Sequence, residues 1–469
     1  MRNGRLSKYG LVIIHCFLLN FYASAQFPDS ARTGYLLDAS EEYWLAPTAS
    51  IKGTGFIESI KHIPINKRKG FVSIGINIRE GYEHFGNYLW GIGPQDKNGY
   101  FLHRVLFHND LRWNRHFRSF LEVQSSTISD RNGGPRPVQD LNKIAINQFF
   151  GELTLHAGKW AMLHFRFGKQ SLNYGTGTLL DIRDANVRRS FAGSKIILEN
   201  KSLKVDAFFM LPIAVREGIF DDQIDHSQKV GGFWGTRKFH NNALTKLDLY
   251  YVFINRRQTR FNQGTGKEVR NTVGMAATCK KGNWFSYCEA DVQFGKFNNG
   301  NIRAWKIAPS FGYQVQMLRI KPVFTIQGAI SSGDKDSSDP VLQTFNPLYP
   351  KAIYYGFIDN AGSANLIVIH PKVEFQFFKR LTITAGYYQF WKQQLHDGIY
   401  AVNGSYLLPP ANEKRPVGSM WDILTTCTLG NHVIIQLIGS CYKMGEYLKQ
   451  QPALNGDIRY AGIKSTLRI

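Results

Sequence analysis

The sequence predicts an all-β chain, a single antiparallel barrel of about 18 strands that spans a membrane, with short turns at one end and long loops at the other. Three observations carry this. Apolar and polar residues alternate with a period of two in segment after segment; the links between segments alternate between short and long; and no run of 18 or more apolar residues follows the first 25 residues. A period of two puts successive side chains on opposite faces of a strand, so one face can meet lipid and the other water. In hydrocarbon every backbone donor and acceptor needs a protein partner, and strands satisfy that only as a closed sheet.

The first 25 residues read as a secretory signal. Arg2, Arg5 and Lys8 precede an apolar run from Leu11 to Phe21, and Ala23-Ser24-Ala25 forms a cleavage site. Residues 26–69 hold Pro28, Pro47, Pro64 and the basic knot Lys67-Arg68-Lys69; they are expected to be a weakly structured lead-in with no plug domain. Residues 70–469 are the predicted barrel.

Its first strand runs from Gly70 to Glu80, where Val72, Ile74, Ile76 and Ile78 alternate with Ser73, Gly75, Asn77 and Arg79. The pattern returns at 100–113, 116–126, 143–156, 160–171, 188–199, 202–211, 231–240, 245–254, 269–279, 283–295, 302–313, 317–330, 366–378, 381–391, 418–429, 432–444 and 457–469. Short links such as Asn114-Arg115, Gln314 to Gln316 and Gly430-Asn431 alternate with long ones such as 127–142, 172–187, 331–365 and 392–417. Short periplasmic turns, long extracellular loops and an even strand number belong to bacterial outer-membrane barrels. The 14% aromatic content, with 22 Tyr and 9 Trp, suits girdles at two membrane interfaces.

The stretch from Trp160 to Phe191 is the organising element. Phe165 and Phe167 share one face while His164, Arg166 and Gln170 share the other; a Gly-rich segment then leads into Arg183, Arg188 and Arg189, interleaved with Asp181, Asp184 and Asn186. This long loop is expected to fold into the barrel and narrow it. Alternation also turns Arg79, Arg104, Arg112, Arg118 and Arg270 inward, with Glu122, Glu152, Asp248, Glu289 and Asp291, because an Arg or Lys facing mid-membrane lipid costs about 2–4 kcal/mol. In a chain of net charge +22, such a lumen favours anions. Cys279, Cys288, Cys427 and Cys441 lie in two hairpins whose expected turns set neither pair opposite, which argues against disulfides.

Five blocks resemble the outer-membrane alginate export porins: Arg79 to Gly91 (REGYEHFGNYLWG), Gly133 to Pro137 (GGPRP), Gly168 to Phe191, Asn301 to Trp305 (NIRAW) and Ser332 to Pro371. The last holds Ser332-Gly333-Asp334, TFNPLYP from Thr344, YYGFID from Tyr354, ANLI from Ala364 and His370-Pro371. The resemblance covers roughly Ile57 to the carboxyl end. It implies an 18-stranded barrel with a narrow electropositive pore for a polyuronate, and points to Arg79, Arg104, Lys169, Arg183, Arg188, Arg189 and Arg270 as anion contacts. Strict alternation turns Lys169 outward unless a bulge re-aims it. The best-known members close the periplasmic side with a long turn, whereas the short links read here run one to three residues, so no such plug is expected.

The functional expectation is an outer-membrane porin passing anionic saccharides such as alginate-like polyuronates by diffusion, with a general anion-preferring porin for small solutes as the alternative. Expected partners are outer-membrane lipid, an anionic oligo- or polysaccharide and periplasmic export or uptake proteins. A barrel hydrolase needs a Ser nucleophile tied to a His; Ser119, Ser125 and Ser126 precede long loops, but no signature ties them to one, so no catalytic residue is assigned. His103, His108 and His116 are irregularly spaced, and Asp334, Asp336 and Asp339 lack the Asp/Asn-then-Gly core of a calcium loop; they are expected to sit in a solvated loop, with no metal and no cofactor. A secretory signal and dispersed arginines exclude nucleic acid as a partner.

Overall fold

A computed structural model describes residues 34–44, 56–65, 70–240, 243–316, 320–353, 355–358, 360–378 and 380–469; the predicted signal and part of the lead-in lie outside them. Among the described residues, 18 long strands form one closed antiparallel barrel. They are β1 (Phe71–Gly86), β2 (Tyr100–Arg112), β3 (Phe117–Ser129), β4 (Asn142–Ala157), β5 (Ala161–Gln170), β6 (Phe191–Glu199), β7 (Leu203–Ala214), β8 (Gln228–Lys238) and β9 (Leu244–Phe261). The second half is β10 (Gly264–Lys281), β11 (Trp284–Phe297), β12 (Gly300–Gln314), β13 (Val323–Ser331), β14 (Leu366–Phe377), β15 (Leu381–Lys392), β16 (Pro416–Leu429), β17 (Val433–Met444) and β18 (Ile458–Arg468). The ring shuts where β1 meets β18, from Asn77 opposite Arg468 to Gly86 opposite Arg459.

Alternation sets the two faces as expected. On β11 Glu289, Asp291 and Gln293 are buried toward the lumen, while Val292 is 58% exposed and Phe294 45%. On β5 Phe167 is 73% exposed and Arg166 buried. Trp113, Phe117, Trp160 and Trp284 face outward at the short-turn end, the place of one aromatic girdle.

Two boundaries differ from the sequence reading. β9 and β10 each run 18 residues and turn through Asn262-Gln263 alone. β11 and β12 likewise turn through Asn298-Asn299, so two links on the loop side are tight. Alternation fades there because the polar outer face of a strand clear of the membrane reads like a loop. On the other side β13 begins at Val323; the start expected near Met317 lies outside the described residues.

Candidate functional site: a charged lumen

Long loops fold inward and fill the extracellular half by apolar packing. Leu172, Leu179 and Leu180 are buried against Phe208, Val230 and Val252 of the wall, together with Phe345 and Leu348 of the 332–365 link. Each such leucine contributes roughly 1.5–3 kcal/mol. Tyr174 stacks on Trp234, which stacks on Tyr250 at 3.9 Å between centroids. Main-chain bonds add to this: Asp181 donates to the Tyr349 carbonyl and Tyr349 to that of Leu179. The expected narrowing by the loop after β5 is therefore built on luminal aromatics that alternation alone would have left facing water.

The loop carries Asp184 to a cationic corner. Arg79 of β1 and Arg104 of β2 donate to its two oxygens at 2.5 and 2.7 Å, and Arg188 approaches at 3.3 Å. Burial would raise this carboxyl, but the three guanidinium groups outweigh burial and hold it well below the usual carboxylate range. Three cations share one anion, which leaves the corner net positive.

Other arginines singled out in the sequence fix the loops. Arg189 donates to the Asp181 and Pro350 carbonyls at 3.2 and 3.1 Å, and Arg183 donates to Val187 O at 3.3 Å and also to Val138 O. Arg270 of β10, fully buried, binds Glu268, Gln293 and the Thr344 carbonyl. Lys169 departs from a luminal role: it shares the lipid-side parity of Phe167, pairs in register with the exposed Phe149, and its ammonium turns to Asp222 in the β7–β8 loop at 3.2 Å. Gly168 beside it has a positive φ, but the alternation of the strand is kept.

The periplasmic half holds the clearest correction. Residues 34–44 are not a weakly structured lead-in; they enter the lumen. Tyr35 contacts His432 in the β16–β17 turn, the chain climbs to Asp38, turns through Ala39–Glu41, and comes back to Trp44, whose carbonyl meets His62. Asp38 caps Ser40 N at 3.0 Å, accepts from Gln148 and is bonded by Ser171. Arg118 donates to the Ser40 carbonyl at 2.6 Å and Arg112 to that of Glu42 at 3.3 Å. Arg166, held by Glu152 at 2.7 Å, reaches Glu41 at 3.2 Å, and Lys204 lies 3.7 Å from the other oxygen.

Lys195, Lys204 and Lys306 also line this wall, and the alternation of their strands already turns them inward. Lys306 bridges Glu289 at 2.5 Å and Asp291 at 3.3 Å. Asp38, Glu41 and Glu42 had a signal too, an acidic run (DASEE) in a strongly basic chain. Asp334, expected in solvent, is buried; burial first and Asp397 second push its carboxyl up to about 7.

Solved structures of the same architecture are found in Pseudomonas aeruginosa. OpdK with vanillate has 10% identity and a TM-score of 0.57, covering 85% of this chain and 98% of that one. OccK2 (OpdF) in complex with glucuronate has 12% identity and a TM-score of 0.57, with the same shares. At such identities these show the fold. No curated protein matches the chain. The alginate export family matches residues 71–461, nearly the whole barrel. The chain belongs to the alginate export family, and its barrel is an outer-membrane channel.

Proposed function

We propose that this channel passes solutes bearing carboxylates, with sugar acids as the class, through a lumen whose cations bind them in transit. The corner at Asp184 carries the reading, because there the protein's own carboxylate receives three guanidinium groups, Arg79 on one oxygen and Arg104 and Arg188 on the other, as a uronate would. Arg79, the more open of the three, is the transit contact on the wall, while Arg104 and Arg188, both buried, hold Asp184. Arg112, Arg118 and Arg166 continue the path toward the periplasm, while Arg183, Arg189 and Arg270 hold the loops that shape it.

Within that class, small acids are favoured over a long polymer. Inward loops pack apolar side chains against the wall of the extracellular half, and residues 34–44 lie among the luminal charges of the other. The resemblance of the fold to a channel solved with glucuronate fits the same class. Planar-bilayer recording tests it: reversal potentials in a salt gradient should show anion preference, and glucuronate should interrupt chloride current at lower concentration than glucose. Cation preference would overturn the reading.

A further inference from the structure

Three observations bear on the acidic segment inside the lumen. First, the wall around Glu41 has more positive than negative charge. Arg112 and Arg118 share Asp110, Arg166 takes Glu152 and Lys195 takes Asp206, while Glu199 faces His164, and Lys204, which also lies in the fields of Asp206 and of Glu199 opposite it, makes its ion pair with Glu41 among the described residues. Burial would lift the Glu41 carboxyl, but Lys204, Arg166, Lys195 and Arg118 overcome this and hold it far below the usual range.

Second, the mode of attachment differs from that of the loop after β5. That loop is tied by main-chain bonds, such as Val187 to the Gln139 carbonyl and Tyr349 to that of Leu179. From Leu36 to Glu42, among the described residues, the backbone forms no ladder with any strand; wall side chains hold it. Third, Glu42 serves the segment itself. It accepts from Leu36 N and the Trp44 indole and pairs with Lys61 at 3.9 Å, so the turn that presents Glu41 is a preformed unit.

We propose that Arg118, Arg166 and Lys204 form a binding site for the carboxylate of a passing sugar acid, and that Glu41 occupies it as a tethered, displaceable ligand closing the periplasmic half of the channel. The inference rests on the anion-channel reading above. The Arg166 guanidinium and the Lys204 ammonium on one carboxylate, with Arg118 next to them on the Ser40 carbonyl, are the chemistry a uronate needs. A ligand on a short tether acts at an effective concentration of order millimolar, so a free acid displaces it once it reaches that range. Solute entering from either end therefore opens the path it uses.

Single-channel recording of the full chain, Glu41→Gln, Glu41→Asp and Lys204→Gln, with glucuronate as probe, tests this. Glu41→Gln should raise mean conductance several-fold and lower the glucuronate concentration for half-maximal current interruption about tenfold. Glu41→Asp, which keeps the charge, should stay within about twofold of the parent. Lys204→Gln should raise conductance yet weaken glucuronate, an opposite pairing that a folding defect does not produce. Parent-like conductance and glucuronate response in Glu41→Gln, with anion selectivity intact, would overturn this inference alone. Cation selectivity in the parent would overturn both readings.

Discussion

Arg79 and Arg104 stand directly opposite each other on adjacent strands, and both close on the carboxylate of Asp184. Two like charges in register repel. The loop aspartate converts that conflict into an anchor, so the anchor and the pore chemistry are one arrangement. Asp184→Asn should therefore do two things: lower stability by about 3 kcal/mol, since removal of one partner strands buried charge, and increase anion current. Urea unfolding in detergent micelles and bilayer recording read the two effects separately.

The lipid face gives a prediction independent of transport. Val292 projects from β11 into the apolar band, whereas Gln293 next to it faces in. Val292→Arg should cost about 2 kcal/mol or more in folding into lipid vesicles. Val292→Ile, which keeps that face apolar, should stay within about 1 kcal/mol of the parent, and equal losses for the two changes would contradict the assignment of faces.

Glu42 makes docking of the segment depend on pH. Burial pushes its carboxyl up to about 7, against the opposing pull of Lys61. A carboxyl raised in the docked state stabilises docking fully below its ordinary value of 4.5, and that contribution is lost as pH rises through about 7. Conductance should rise between pH 6 and pH 8. Glu42→Gln, neutral throughout, should flatten that rise. Lys61, whose ammonium is disfavoured by burial, acts in the opposite sense on the alkaline side.

Gly168 and Gly193 face each other on β5 and β6, both with positive φ, just before the loop enters. A Cβ at Gly168 would lie 2.3 Å from the Phe149 carbonyl oxygen. Gly168→Ala should cost about 1–3 kcal/mol from backbone strain, read as a lower urea midpoint. A parent-like midpoint would show that this close approach does not need glycine.

Most of the wall was legible because lipid imposes one rule on it. Val292 and Gln293 declare their faces through period two alone, and the tally of strands follows from repeating that rule. The contents of the barrel obey no such rule. Tyr174 and Trp234 meet only because a loop and a strand distant in sequence are folded together, and nothing local in either segment encodes the stack. Arg183 and Arg189 read as pore cations because charge is visible in sequence, whereas their partners, the Val138 and Pro350 carbonyls, are not. Glu41 was overlooked because a short polar stretch before the first strand has no periodicity to judge.

The loop after β5 has one further mechanical meaning. At one end Asp184 grips β1 and β2, and elsewhere Thr178 donates to Glu289 of β11. A single segment thus acts as a cross-brace between distant staves of the cylinder. Lateral pressure from the surrounding bilayer then meets a tie-rod rather than an empty tube, and the width of the passage is set by a loop instead of by the number of staves.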